Sequence, residues 1–320
     1  MTQTDVKTTV EDAPARRAER AEFPQRVGSW ELVGLTGEGA LTRVYRARPL
    51  PPARAPAPKQ AALAEAAADR PAAYALKMLR PEYGDDPRAI ALLRREALVG
   101  RSVSHPHLIS VLGAGMRKGP HYVVMPWLGG ATLAADRAAG NGLDQPTAFW
   151  IARQVAEALG ALHDSGWMHG DVKPSNVFLS PEGHATLLDL GFARRTDRPE
   201  PAAQRVVAGT CNYIAPEMLS RGHPVDGRSD VYSLGVVLFE MLSGRLPFEG
   251  ADAAEVARKH REARPPSLAD LVPGLHPDAA ILVGQMLAKQ PLRRPQSPRE
   301  LIERLTRLEI GTFTRRLTPR

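Results

Sequence analysis

The sequence holds one cysteine, Cys211, in 320 residues, so no disulfide can close within the chain and a reducing compartment is its natural setting. Aromatic residues make up only 5%; alanine and proline are plentiful instead. No apolar run approaches the ~20 residues that span a bilayer. The opening "MTQTDVKTTVEDAPARRAER" lacks the apolar centre of a secretory signal. A cytoplasmic protein without a membrane span is therefore expected. Segregated charge is lacking too. The net charge of +7 could suggest nucleic acid, but the arginines are spread along the chain among acids, which reads as solvated basic faces, so no nucleic-acid partner is expected. The ending "TFTRRLTPR", within the basic tail 309–320, reads as a frayed terminus.

What is present is ordered from strand-like to helix-like. Residues 1–26 are polar and aperiodic and read as disordered. From Trp30, "WELVGLTGEGALTRVYRAR" alternates about a glycine turn, the signature of a β-hairpin. The insert 48–72 begins with Pro49, Pro51, Pro52, Pro56 and Pro58, which forbid ladder and helix alike. Its "KQAALAEAAADR" half can form a short helix. The insert reads either as a solvated loop or as a docking element. "YALKML" resumes a strand, a helix is expected over about 87–101, and strands around Ile109–Gly113 and His121–Met125. Beyond "LGG" the pattern turns helical. Phe149, Ile151, Val155, Leu159 and Leu162 mark an amphipathic helix. "SDVYSLGVVLFEMLSG" is apolar nearly all round, hence a buried helix closed by Gly244. Three more helices are expected near 252–263, 277–288 and 298–308.

Four groups of residues carry chemistry. Gly37 and Gly39 in the hairpin turn let backbone amides approach a phosphate, although hairpin glycines are ordinary. Lys77 sits mid-strand, where a buried ammonium needs an anion unless it snorkels to solvent; Glu96 on the following helix is the natural partner. In "MHGDVKPSN", Asp171 and Asn176 have the spacing of a catalytic base and a magnesium ligand in phosphoryl transfer. Asp189 follows in "LLDLGFA", at the end of an apolar strand.

With "GTCNYIAPE", "DVYSLGVVLFEML" and "KQPLRRP" in order behind them, these stretches make the chain resemble a eukaryotic-type Ser/Thr protein kinase over about Val27 to Leu308. The resemblance implies an α+β, bilobal protein kinase-like fold. A small antiparallel-β N-lobe with one main helix (27–128, including the insert) would precede a large, mostly α-helical C-lobe (129–308). It implies ATP and Mg2+, with transfer to Ser/Thr hydroxyls of protein substrates. Asp171 would orient and deprotonate the hydroxyl, and Lys173 would neutralise the transferred group. Asn176 and Asp189 would hold magnesium, and Lys77 with Glu96 would position the nucleotide. Adenine would lie between Val44 and Ala75 above and Phe178 below, with Met125 behind, the Pro126 carbonyl in the hinge and the Leu128 amide on the base. Glu217 and Arg294 would form a buried clamp, and Asp230 would cap the central helix and brace the catalytic loop.

Several positions depart from that pattern. Gly170 stands where the resemblance expects arginine, Thr42 where it expects a third glycine, and "DLG" where it expects "DFG". Gly100, four residues after Glu96, would leave a void between the lobes unless a neighbour fills it. Such departures favour the alternative of a pseudokinase, a nucleotide-binding or scaffolding module. "HGD" also occurs in small-molecule phosphotransferases of the aminoglycoside-kinase type, against which Lys173 and "GTCNYIAPE" argue. Between Asp197 and Gly209 there is no Ser, Thr or Tyr, so activity independent of activation-loop phosphorylation is expected. Input must then arrive through the kinase lobe, a tail or a regulatory partner.

Overall fold

A computed structural model of the chain describes residues 25–50, 72–136, 142–197, 211–219 and 224–317. The expected short helix of the insert, residues 1–24 of the segment read as disordered and Thr210 lie outside the described residues. Arg26 of that segment stands in a strand, and so do Arg48 and Pro49 of the insert. Pro49 lies opposite Trp30 at the strand's last residue, where the missing N–H is tolerated. Six strands form one antiparallel sheet: β1 (Arg26–Val27), β2 (Trp30–Glu38), β3 (Thr42–Pro49), β4 (Tyr74–Leu79), β5 (Gly113–Gly115) and β6 (Tyr122–Pro126). Their order is β1-β2-β3-β4-β6-β5. Alternation sorts the side chains between two faces. Leu32, Tyr45, Ala47, Leu76, Met78 and Val124 build a small core on one face. Ala75, Val123 and Met125, on the other, join the main core.

Helix α1 (Pro87–Ser102) packs beside this sheet. Asp86 caps it, its carboxylate accepting from the Arg88 amide at 2.9 Å, with Pro87 at the first helical position, where a missing N–H costs nothing. Leu93, Glu96, Ala97 and Gly100 fall on its buried face. No void opens at Gly100. A Cβ there would meet Val111 Cγ2 at 2.6 Å, so a neighbouring valine already fills the space.

The strand expected at 109–113 is displaced. Residues 107–109 instead tie the lobes together. Leu108 bridges Leu187 in parallel, the Ile109 amide donates to Leu187 O at 3.0 Å and the Leu187 amide donates to His107 O at 2.8 Å. The strand itself, β5, is "GAG".

The larger lobe opens with β7 (Ala131–Thr132) and α2 (Leu133–Asp136), then α3 (Gln145–Asp164), capped by Asp144 on the Thr147 amide at 2.9 Å. Short strands β8 (Trp167–Met168), β9 (Val177–Leu179), β10 (Ala185–Leu187) and β11 (Arg194–Arg195) carry the loops between the lobes. Helix α4 (Arg228–Ser243) is buried nearly all round and ends at Gly244, whose φ of 73° makes the left-handed C-cap. Around it stand α5 (Ala253–Glu262), α6 (Leu268–Leu271), α7 (Pro277–Met286) and α8 (Pro298–Leu317). The expected boundary at 308 falls inside α8, which runs through nine residues of the basic tail, six of them in the stretch read as frayed. Glu309 reaches back to Arg153 of α3 at 2.8 Å and Thr312 is buried, so tertiary contacts hold the extension. Among the described residues no helix is long and apolar enough to cross a membrane.

His260 of α5 is fully buried and bonds Tyr232 Oη of α4 at 2.9 Å. Burial, reinforced by the charge of Lys289, pushes its imidazole down to about 4. The native state therefore holds a neutral ring while the unfolded chain takes up a proton near pH 6.5. Stability carried by this group is present above pH 6.5 and is lost as pH falls toward 4. About 2 kcal/mol should disappear between pH 7 and pH 5. Urea unfolding at the two pH values, for the chain and for His260→Gln, checks this: the variant should lose less by about that amount, and equal losses would contradict it.

Candidate active site

Strand pairing assembles the upper half of the cleft. Lys77 lies opposite Val44, and Ala75 opposite Met125. The period of two therefore puts Val44, Ala75, Lys77 and Met125 on one face of the sheet, toward the larger lobe. Gly37 pairs with Val44 next to a bulge, and the Gly39 amide closes the hairpin turn on Thr42 O at 2.8 Å. At the far end, β6 runs through Pro126 into the connection between lobes. The Trp127 amide is engaged by Ala73 O at 2.9 Å, whereas the Leu128 amide has no partner among the described residues.

Lys77 does not snorkel. Its Nζ lies 2.8 Å from Glu96 Oε2 and 3.0 Å from Asp189 Oδ1, joining the sheet, α1 and the larger lobe at one point. Burial alone would push the amine down. The carboxylates of Asp189 and Glu96 outweigh it and hold the ammonium above its ordinary range. Burial pushes the Glu96 carboxyl up against the pull of Lys77. Asp189 is held below the carboxylate range because the Lys77 charge overcomes burial. Its backbone is left-handed, with φ 63°, a conformation aspartate tolerates better than most residues and one that recurs where a site demands it.

The lower half is the loop after β8. Asp171 Oδ2 sits 2.7 Å from Lys173 Nζ. Asn176 Nδ2 donates to both the carbonyl and Oδ2 of Asp171, at 2.8 and 2.9 Å. These two bonds fix the amide and leave the Asn176 Oδ1 atom free to coordinate. Burial raises the Asp171 carboxyl above its usual value, with Lys173 opposing, which moves it toward the basicity a proton acceptor needs. Phe178, half-buried on β9 opposite Thr132 of β7, is placed on the strand that follows.

Asp230 does not cap α4 as expected. The helix N-cap is Gly227, without a side-chain bond. The carboxylate turns instead to the loop, accepting from the His169 and Gly170 amides, each at 2.8 Å, and contacting His163 Nε2 at 2.8 Å. Its pKa is lowered: the His163 hydrogen bond outweighs burial. His163, in the last turn of α3, is the participant that sequence spacing does not reveal; nothing in "LHDSG" points to Asp230 of α4, 67 residues further along the chain. Gly170 has φ 79°, and a Cβ there would meet the Phe192 carbonyl oxygen at 2.7 Å. Glycine is the residue this backbone accepts without strain. The Glu217–Arg294 clamp is present, bidentate at 2.6 and 2.8 Å.

A model of the protein kinase domain family matches residues 33–304. The serine/threonine-protein kinase PrkC of Bacillus subtilis is 29% identical over 274 residues, covering 86% of this chain and 39% of its own length. For PknB of Mycobacterium leprae the identity is 35% over 242 residues, 74% of this chain and 39% of the relative. For PknF of Mycobacterium tuberculosis strain H37Rv it is 37% over 230 residues, 69% of this chain and 48% of the relative. The chain thus spans about two fifths to one half of the length of these relatives.

Proposed function

The chain belongs to the protein kinase domain family, and from that premise we propose that it is an active Ser/Thr protein kinase, transferring the γ-phosphoryl group of ATP to protein hydroxyls. The observation that carries this reading is the Lys77 contact with both Glu96 and Asp189, because it closes the two lobes around a charged cleft while Asp171, Lys173 and Asn176 stand ready below. A scaffolding module has no need of all these groups in register.

In this reading the face bearing Val44, Ala75 and Met125 covers the adenine, with Phe178 beneath. The Pro126 carbonyl and Leu128 amide meet its edge. Gly37 and Gly39 open the hairpin backbone to phosphate, and Lys77 neutralises it. Asp171 accepts the proton of the substrate hydroxyl and aims its oxygen, and Lys173 offsets charge on the group in transfer. Asn176 Oδ1 and the Asp189 carboxylate are hard oxygen donors, suited to Mg2+, which takes one or two protein ligands plus phosphate and water. When bound, that ion neutralises charge on the phosphates. We place the domain in the cytoplasm, where ATP is available.

Gly170 stands in place of an arginine, and this substitution sets the regulation. An arginine beside Asp171 is unfavourable until an activation-loop phosphate neutralises it. Gly170 presents no such charge, and the Asp230 carboxylate fixes the loop without phosphate. Replacing Thr196, the last described hydroxyl before the serine- and threonine-free stretch, with alanine should change the initial rate by less than tenfold.

The test of the activity is incubation of the purified chain with Mg2+ and labelled ATP, with a generic protein substrate followed by phosphoamino acid analysis and, in parallel, with an aminoglycoside. Label on serine and threonine is expected. ATP binding without transfer would establish the scaffolding module instead, and transfer to aminoglycosides alone would establish a small-molecule phosphotransferase.

A further inference from the structure

Outside the cleft, at the opposite end of β6 from Pro126, lies a cavity of about 340 Å³ between β1 and the β5–β6 turn. Val27, Gly28, Met116 and Tyr122 form its walls. The strands that border it, β1 and β5, are the two outermost of the sheet, and each pairs on one side only among the described strands. Their outer backbone groups are therefore open to a further strand. Glycine shapes the pocket. The Tyr122 ring packs on the small core, and a Cβ at Gly28 would meet its Oη at 2.7 Å. Gly28 also holds φ 57°, so space and backbone both exclude a side chain there.

The groups left over at its mouth are hydrogen-bond donors. Arg117 and Lys118 line the cavity, and neither meets a carboxylate among the described residues. The amides of Arg117, Lys118 and Gly119 and the Tyr122 hydroxyl have no partner there either. No aspartate or glutamate lines the cavity. Two cations, three amides and a phenol offer more donors than the four or so lone-pair sites of a carboxylate can use. A phosphate monoester brings three terminal oxygens and about −1.5 to −2 charges at pH 7. Val27 and Met116 give its carrier an apolar wall, and the open edge of β5 gives an extended backbone something to pair with.

We infer that this cavity is a docking site for a phosphorylated segment of polypeptide. Arg117, Lys118 and the turn amides hold the phosphate monoester, and the backbone of the segment lies along the edge of β5. Charge decides the partner: an unphosphorylated segment leaves both cations without an anion. The inference is independent of the phosphotransfer reading, since none of these residues belongs to the cleft and a synthetic phosphopeptide tests it without turnover.

The probe is a phosphothreonine flanked by two alanines on each side and capped at both ends. It is titrated calorimetrically into the full chain, beside its unphosphorylated twin and inorganic phosphate. Arg117→Ala combined with Lys118→Ala alters only exposed turn residues, so its melt and its phosphotransfer rate should match those of the parent. Its affinity for the phosphopeptide should be lower by at least about tenfold, the worth of one charge-assisted contact. The unphosphorylated twin should bind the parent more weakly by at least the same factor. No binding to the parent, or a smaller difference in either comparison, overturns the inference. Inorganic phosphate bound as tightly as the phosphopeptide also overturns it, because the cavity would then be a site for the free anion.

Discussion

Replacing Asp171 with asparagine is expected to lower phosphotransfer by about 10²–10⁴-fold, equivalent to ~3–5 kcal/mol of barrier, while leaving the fold and ATP affinity nearly unchanged. Asparagine keeps the shape of the side chain and one acceptor for the Asn176 amide, now 2.9 Å from Asp171 Oδ2. It cannot take the substrate proton and no longer pairs with Lys173. The groups that would hold the nucleotide lie elsewhere, on β4, α1 and the connection after β6. Initial rates beside calorimetric ATP binding and a thermal melt check the three parts together. A variant within threefold of the parent rate would remove Asp171 from the chemistry.

The second large effect is structural. Glu217 and Arg294 are 5% and 3% exposed. Glu217 Oε1 also accepts from Ser229 Oγ at 2.6 Å, and the guanidinium donates to the carbonyls of Arg228 and Ala288, both at 2.8 Å. Removing the carboxylate leaves a buried cation with its backbone acceptors but no anion. Breaking such a pair from one side costs about 3–5 kcal/mol. Glu217→Ala should therefore lower the melting temperature by on the order of 10 °C for a domain of this size. Glu217→Gln, which retains an acceptor, should lose less. If Glu217→Ala unfolds within about 1 kcal/mol of the parent in urea, the clamp is not holding the larger lobe.

The parts of this molecule legible in the sequence are those whose signal is local. The β2–β3 hairpin shows in alternation around glycine, α4 in its apolar run and closing Gly244. The catalytic residues show in short motifs, where spacing along the chain is nearly spacing in space. What was not legible depends on partners distant in sequence. Strand β5 is glycine and alanine, with no side-chain period to read, while the apolar stretch before it serves as the tie between Leu108 and Leu187. The extension of α8 carries arginines that suggest a frayed end, but Glu309 pairs with Arg153 of α3 and Thr312 is buried. Gly100 suggests a void because sequence does not show Val111 filling it. Asp230, at the start of a helix, looks like a cap until His169 and Gly170 are seen to claim its carboxylate.

The central claim is that the loop around Asp171 is competent without a phosphate on the activation loop, since Gly170 carries no charge to neutralise. It is tested most directly by the initial rate of the phosphatase-treated chain on a generic protein substrate, with Asp171→Asn as the blank. The account predicts a rate within tenfold of the untreated protein. A greater loss, above ~1.4 kcal/mol of barrier, restored when the phosphate is restored, would contradict it.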